Sequence, residues 1–274
     1  IDNNSGGKCV NGGGLGIHDS EGSINNSIID NNFASEQGGG IYIKDSDVTI
    51  NRTIISNNRN GYTSNDYTTE QNYLSGVQLR DASANIYNST IYNNSIINSG
   101  YEDYYQDVDY ILNIANSIIH YNSPIITGGD IEEIGELNIM YSNIEDCNEI
   151  EECLIDLTNI DSNPLFINSD ILDFKLQYNS PCIDAGTTDI DGNGVDEIAD
   201  FIGSAPDMGA FEYGTADDII PGDANSDGTL DILDILLTVN IIMAFEYNQT
   251  ADINEDSILD IIDIIMLVNI ILNQ

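Results

Sequence analysis

The sequence predicts a mainly β protein, in which a parallel β-solenoid precedes a small all-α module. One observation behind this prediction is a phrase containing isoleucine that recurs about every 26 residues through the first half of the chain. The other is an acidic loop near the C-terminus that occurs twice in the same frame. We assign residues 1–213 to the solenoid and its closing segment, 214–220 to a linker and 221–274 to the module.

The recurring phrase defines the coils of the predicted solenoid. The residues immediately before its first isoleucine are Ser27, Thr53, Thr90, Ser117 and Asn143. One step is longer, which we attribute to a polar insertion at 60–75 that we predict as a loop. Between the turns, apolar residues alternate as in Ile41 and Ile43, a pattern typical of short strands with one buried face. Strands of this kind bury their apolar faces by stacking coil on coil.

Two glycine runs and two terminal phrases complete the pattern. Glycines 12–14 and 38–40 precede apolar strands, and we expect them at tight corners that need positive φ. Together with the phrases at 163–166, 180–186 and 207–213, the stretch from about 13 to 186 resembles the right-handed parallel β-helix family, which includes pectate lyases and polygalacturonases. The terminal phrases are similar to those of secreted bacterial β-helix proteins, in which a surface anchor follows.

The charge balance restricts the partners of the chain. There are 47 acidic and 6 basic residues, a formal net charge of −41. Such a chain repels the phosphates of nucleic acids and anionic membrane surfaces, and it attracts cations. Residues 176–274 contain no Lys, Arg or His, so we expect bound metal ions or counterions to neutralise the carboxylates there.

The duplicated loop has the ligand spacing of a calcium site. Calcium takes six to eight oxygen ligands, which a twelve-residue loop supplies from positions 1, 3, 5, 7, 9 and 12, with position 7 contributing its carbonyl. We predict these ligands as Asp223, Asn225, Asp227, Thr229, Asp231 and Asp234 in the first loop, and as Asp252, Asn254, Asp256, Ile258, Asp260 and Asp263 in the second. A short helix is expected after each loop.

This duplicated unit of a loop and one helix resembles the type I dockerin domain over about 221–274. The resemblance implies two calcium ions, a cohesin-like partner on a scaffold or cell surface, and a secreted, bacterial protein. Two features depart from the family. Ser257 replaces the usual glycine of the second loop, so we expect that site to be the weaker. Residues 232–233 and 261–262 are apolar where polar residues are common, which leaves the identity of the partner open.

A third acidic cluster and an apolar stretch near the C-terminus each allow two interpretations. Asp189, Asp191, Asn193 and Asp196 form either a third calcium site or a solvated turn. A membrane span needs about 20 apolar residues. The apolar stretch at 259–272 is shorter and contains carboxylates, so the sequence argues against a span and for exposed helix faces that bind a partner.

Catalytic residues are weakly indicated. Arg80 is the basic candidate we favour over Arg52 and Lys44 for a lyase, although a pairing of Arg80 with Asp81 explains it better. Clustered aspartates of a hydrolase are the alternative. We expect His18 and His120 to be surface or turn residues. Seven tyrosines offer either sugar stacking or simple packing: Tyr62, Tyr67, Tyr73, Tyr101, Tyr104, Tyr105 and Tyr110.

Four cysteines are too few for a disulfide scaffold. Cys147 and Cys153 either form one bridge or are unpaired core residues, and the pairing of Cys9 and Cys182 stays open. No signal peptide is visible, and we expect a mature or truncated product. The resulting functional expectation is a secreted calcium-binding docking protein that acts in polysaccharide binding or degradation. The alternatives are a non-catalytic adhesion solenoid and an active lyase or glycoside hydrolase.

Overall fold

The computed structural model describes most of the chain. The described residues are 11–35, 37–62, 71–74, 76–94, 96–99, 111–122, 126–128, 136–150, 153, 156–177, 179–214, 220–225, 229–248, 250–254 and 256–272. They confirm a mainly β architecture, a parallel β-solenoid, with two helices near the C-terminus. The right-handed sense of the coil and the exact linker stay predictions.

The strands are short and follow one another around the coil. In chain order they are β1 (Leu15–His18), β2 (Glu21–Asn25), β3 (Ile28–Asp30), β4 (Phe33–Ala34), β5 (Ile41–Lys44), β6 (Asp47–Asn51), β7 (Ile54–Ser56), β8 (Arg59–Tyr62), β9 (Gln71–Leu74), β10 (Val77–Arg80), β11 (Ser83–Tyr87), β12 (Thr90–Tyr92), β13 (Ile96–Ser99), β14 (Ile111–Ala115), β15 (Ile118–His120), β16 (Ile126–Gly128), β17 (Glu136–Met140), β18 (Asn143–Ile144), β19 (Phe166–Asn168) and β20 (Asp173–Leu176).

Three parallel sheets form the walls of the solenoid, each with five strands. The first contains β1, β5, β10, β13 and β16; the second contains β2, β6, β11, β14 and β17; the third contains β3, β7, β12, β15 and β18. Apolar residues of all three sheets, such as Ile43, Ile50 and Ile55, point into one buried core. The predicted alternation therefore has its expected cause, which is one buried face for each strand.

The strand registers correct the predicted repeat frame at two coils. Thr90 pairs with Ile54, and Asn143 pairs with Ile118, so Ser89 and Ser142 are the equivalents of Thr53 and Ser117. The shared feature is a ladder of hydroxyls, in which each one accepts a hydrogen bond from the backbone N–H of the preceding coil: Thr53 to Ser89 at 3.2 Å, Ser89 to Ser117 at 3.3 Å and Ser117 to Ser142 at 3.2 Å. At these two coils the isoleucine used for the alignment, Ile91 or Ile144, is therefore not the equivalent of Ile54 and Ile118.

Asparagine and aspartate, more than glycine, make the corners. One corner has Asp19, Asp45 and Asp81 at φ of 49–50°, and other corners have asparagines in the same left-handed conformation. These short polar side chains tolerate that region. In each glycine run only the first residue, Gly12 or Gly38, has positive φ. The next two lie against a neighbouring backbone, where a Cβ on Gly39, for example, would come within 2.3 Å of the Arg59 carbonyl oxygen.

A buried asparagine ladder follows the third sheet. Its members are Asn32, Asn58, Asn94 and Asn122. Asn58 Oδ1 accepts from the backbone N–H of Asn32 at 2.9 Å, and Asn94 Oδ1 accepts from that of Asn58 at 2.8 Å. The amide groups also donate to carbonyls, as Asn58 does to Ile29 at 2.8 Å. The ladder satisfies the backbone groups that the turn between coils would leave unpaired.

The insertion differs from the prediction of a loop. Strands β8 and β9 pair antiparallel, with Arg59 opposite Leu74 and Tyr62 opposite Gln71. The residues at the tip, 63–70, lie outside the described residues. A polar, Asn-rich composition does not exclude a hairpin, because cross-strand backbone hydrogen bonds do not depend on side-chain polarity.

A closing segment packs on the outer face of the third sheet. It comprises residues 156–213 and includes the antiparallel pair β19 and β20. Ile118 of the sheet packs there with Leu176, Cys182 and Met208. Cys147 and Cys153 form a disulfide at the end of the solenoid core, so the bridged alternative is the one observed. Cys182 is a buried thiol, and burial raises its pKa to about 11. Cys9 lies outside the described residues.

The two helices follow the acidic loops as predicted. Helix α1 spans Ile232–Ala244 and α2 spans Ile261–Leu272. At the start of α1, Asp231 and Asp234 form a capping box, and Asp260 and Asp263 make the same contacts at α2. Among the described residues, no helix is long and apolar enough to cross a membrane.

Candidate calcium-binding loops and solenoid sites

The second acidic loop is held in a tight turn by its own side chains. Asp252 accepts hydrogen bonds from the backbone N–H groups of Asp256 at 3.2 Å and Ser257 at 2.8 Å. Asn254 Oδ1 accepts from Asp256 at 3.1 Å. Asp263 closes the loop by accepting from Ile253 at 3.0 Å. The side chains at positions 1, 3 and 12 therefore accept hydrogen bonds from the backbone of one turn. Ser257 has the left-handed φ of 65° that the sequence predicts.

The first loop repeats these contacts in its described part. Asp234 accepts from the backbone N–H groups of Asn225 at 3.3 Å and Asp231 at 2.9 Å. Asp227 and Gly228 lie outside the described residues. A backbone hydrogen bond connects the segments that precede the two loops: the Gly222 N–H donates to the Thr250 carbonyl at 2.7 Å.

The carboxylates of these loops are buried without a cationic side chain. Asp234 and Asp263 have no exposed surface, and Asp223 and Asp252 are almost as buried. An ionised carboxylate in such a place costs several kcal/mol unless it is paired or coordinates a metal. Because residues 176–274 contain no Lys, Arg or His, the sequence of this region supplies no cationic side chain for them.

The third acidic cluster has the same internal contacts as the second loop. The backbone N–H of Asn193 donates to Asp189 at 3.0 Å and to Asp191 at 3.1 Å, and that of Gly194 donates to Asp189 at 2.8 Å. These are the bonds that Asp256 and Ser257 make in the second loop.

The prediction for this cluster is corrected at one residue. Oxygens of Asp189, Asp191 and Glu197 lie within 4.8 Å of one another. Asp196, the predicted member, instead accepts a hydrogen bond from the Thr188 hydroxyl. Glu197 accepts from the Ile190 N–H at 3.0 Å, as Asp263 does from the corresponding residue of the second loop. The sequence frame missed Glu197 because the closing carboxylate comes at the ninth position of this shorter loop, not the twelfth.

The two helices expose matching apolar residues. On α1 these are Ile232, Leu233 and Leu236, and on α2 they are Ile261, Ile262 and Ile265; each is about half exposed or more. The two triplets occupy the same positions of the duplicated unit. Leu267 of α2 is in contrast fully buried.

The basic catalytic candidates are all ion-paired. Arg80 lies 3.7 Å from Asp81, the pairing that the sequence favoured over catalysis, and Lys44 lies 3.2 Å from Asp45. The strand register places Arg80, Lys44 and His18 in one column of the first sheet. This column was not predicted from the sequence, although the spacing of the three residues equals the residue offsets between successive coils.

The two histidines differ in environment. His18 is exposed, as expected, whereas His120 is buried and its Nε2 lies 2.9 Å from Asn143 Oδ1, which corrects the expectation of a surface residue. Burial lowers the pKa of His120. The aromatic rings of the seven tyrosines proposed for sugar stacking lie outside the described residues.

A cavity of about 390 Å³ lies between the closing segment and the third sheet. It is lined by residues of both, among them Ile28, Arg52, Asn88, Ile202, Phe211 and Glu212. Arg52 connects the two parts, since it lies 3.6 Å from the Asp200 carboxylate and donates to the Asp200 carbonyl at 2.7 Å. Glu212 accepts from the Ile202 N–H at 3.2 Å, and burial raises the pKa of this carboxyl.

Comparisons with known proteins add one distant likeness. No family model matches the sequence, and no curated protein matches it. The crystal structure of pectate lyase Pel9A is similar at 16% identity, with a TM-score of 0.31 and 77% of this chain covered. The chain spans 62% of the length of that lyase chain. The fold assignment rests on the strand registers described above.

Proposed function

We propose that residues 221–274 form a calcium-dependent docking module of the dockerin type, which attaches the β-solenoid to a cohesin-like partner on a scaffold or cell surface. The observation that carries this proposal is the burial of Asp234 and Asp263 where the sequence has no cationic side chain. A calcium ion in each loop would supply the missing charge, and the carboxylate and amide oxygens at the spaced loop positions are of the type that calcium prefers.

The partner contacts the exposed apolar residues of α1 and α2. Ile232, Leu233, Ile261 and Ile262 stand where family members commonly have polar residues. An exposed apolar patch of this kind marks a protein interface. The partner therefore presents an apolar surface, and the charge of −41 favours a basic rim around it.

A third calcium ion belongs to the loop at 189–197 in this proposal. Its support is the likeness of its hydrogen bonds to those of the second loop, with Asp189, Asp191 and Glu197 as carboxylate ligands. This loop is part of the closing segment, so the ion stabilises the segment on the third sheet. The disulfide between Cys147 and Cys153 supports secretion, because disulfides persist in oxidising compartments.

The solenoid acts in polysaccharide binding in this proposal, and a non-catalytic role is favoured over lyase or hydrolase activity. Lys44, Arg52 and Arg80 are each ion-paired with a carboxylate of this chain, so none of the three is presented to a substrate without a competing partner. A polysaccharide lyase or glycoside hydrolase of the β-helix type is the second candidate.

The proposal is tested by calcium titration of the full chain, with calorimetry and circular dichroism. We expect wild type to bind three ions, and Asp223→Ala, Asp252→Ala and Asp189→Ala to lose one ion each. Helicity should rise with binding only at the first two sites. Retention of calcium by all three variants, or helicity indifferent to calcium, would contradict the proposal. Capture of a cohesin domain by wild type and not by Asp223→Ala/Asp252→Ala then tests docking.

A further inference from the structure

The cavity near Arg52 begins where the closing segment stops covering the third sheet. Ile28, Ile54, Thr90 and Ile118 occupy one register column of that sheet. The segment covers Ile118 and Thr90, whose hydroxyl accepts from the Ala210 N–H at 3.1 Å. Ile118, Thr90 and Ile54 are buried, but Ile28 is 47% exposed. The exposed side chain of Ile28 thus forms part of the wall of the cavity.

The opposite wall is also apolar and partly exposed. Phe211 of the closing segment is 37% exposed, and Ile202 is 44% exposed. With Ile28 these side chains give the cavity two apolar surfaces. Its volume of about 390 Å³ lies within the range of about 300–1,000 Å³ that is usual for small-molecule sites. This space suits one or two flat rings.

The polar groups of the cavity disfavour an anionic ligand. Arg52 is already paired with Asp200, and Glu212 adds a second carboxylate to the lining. An anionic ligand would therefore meet more negative than positive charge, in a chain with a net charge of −41. The Asn88 amide already donates to Asn51 and accepts from Asn116, and Glu212 already accepts from the N–H groups of Ile202 and Asp207. Each group keeps one further donor or acceptor position, which a neutral ligand with several hydroxyls can use.

We propose that this cavity binds a neutral sugar unit of a polysaccharide, with the ring between Phe211 and Ile28 and its hydroxyls bonded to Asn88 and Glu212. A pyranose ring has apolar faces and a polar edge, which matches two apolar walls with polar groups between them. The inference rests on the polysaccharide role proposed above and names the site and the sugar class. It does not depend on the calcium module.

The test measures binding of trisaccharides to the full chain by calorimetry. Cellotriose, xylotriose and mannotriose are the neutral probes, and trigalacturonate is the acidic one. We expect at least one neutral sugar to bind at least tenfold more tightly than trigalacturonate. Ile28→Trp places a larger side chain in the cavity from a position that is already exposed, and it should weaken neutral sugar binding at least tenfold.

Two controls separate this site from other effects. Leu157→Trp makes the same kind of change at an exposed residue outside the cavity, and it should bind sugar as wild type does. The Asp223→Ala/Asp252→Ala variant should also bind sugar normally, so failed docking and failed sugar binding are distinguishable. The proposal is overturned if no neutral sugar binds, if trigalacturonate binds more tightly, or if Ile28→Trp binds as wild type while its thermal unfolding is unchanged.

Discussion

Ser257 is the residue through which the proposed calcium affinity of the second loop can be tested. Its backbone is left-handed, with φ of 65°, and a residue with a Cβ destabilises that conformation by about 1 kcal/mol relative to glycine. We expect Ser257→Gly to raise the calcium affinity of the second loop about fivefold, since 1.4 kcal/mol corresponds to a factor of ten. Calorimetry measures this change. Ser257→Ala keeps the Cβ and should leave the affinity near wild type; equal affinities of all three proteins would argue against strain.

His120 gives the solenoid a pH dependence of definite sign. Burial lowers its pKa in the folded state, so the unfolded state binds the proton more tightly. The stability contributed by neutral His120 is complete above the unfolded pKa of about 6.5, and it is lost as pH falls below that value, by at most about 1.4 kcal/mol per pH unit.

His120→Gln should remove this part of the pH dependence while keeping an amide donor for Asn143. Urea unfolding of both proteins between pH 5.5 and 7.5 measures the difference between their profiles. Parallel profiles would show that the folded protein accommodates the charged imidazole.

The candidate ligands that could be predicted from the sequence were those in the two loops with the complete twelve-residue spacing. The spacing of the acidic side chains predicts ligands in both C-terminal loops, because a loop of this kind is a local structure; their binding of calcium stays a prediction. Glu197 and the column of His18, Lys44 and Arg80 depend on contacts outside such a frame. In the shorter loop at 189–197 the closing carboxylate occupies a different loop position. The column can be recognised only when the residue offsets between successive coils are known.

At the scale of the element, the asparagine ladder determines how one coil docks on the next. Asn58 is fully buried and bonds to groups of both neighbouring coils. Asn58→Ala removes the acceptor of the Asn32 N–H and the donor to the Ile29 carbonyl. Each buried group left unpaired costs about 1–3 kcal/mol, so we expect a loss of about 3 kcal/mol in the free energy of unfolding.

Urea denaturation measures this loss, and Asn25→Ala is the matched control. Asn25 is exposed and its side chain donates to Ser23 within the same strand. Its replacement should change stability by less than about 0.5 kcal/mol. If the two variants unfold at the same urea concentration, the ladder does not hold the coils together.

The strands were predictable as elements, but their alignment was not predictable to the residue. Alternating apolar residues identify a strand from local sequence alone. The pairing of Thr90 with Ile54 is instead determined by the hydroxyl ladder at the corner, a contact between coils. For the same reason the glycines that follow Gly38 were misjudged, because a neighbouring backbone and not local φ requires them.

For the whole molecule, we expect the two parts to respond differently to chelation. The described core of the solenoid is apolar, whereas the C-terminal loops bury four carboxylates. Removal of calcium with EDTA should therefore abolish the helical signal of α1 and α2 and preserve the β signal.

Circular dichroism with added calcium or EDTA tests this separation. Magnesium serves as the control, because it demands a smaller octahedral site and should restore the helices poorly. Loss of both signals together would mean that the solenoid also depends on the ion. Persistence of both would contradict a metal-dependent module.

The stacking of the coils also sets the length of the solenoid. Each ladder residue bonds to the coil directly before or after its own, and each strand of the three parallel sheets pairs only with its counterparts in adjacent coils. A duplicated repeat would find ready neighbours on both sides, and it would lengthen the rod by about 4.8 Å. Tandem duplication or deletion of a repeat would therefore change the length of the solenoid in small equal steps. The contacts between neighbouring coils would stay of the same kind.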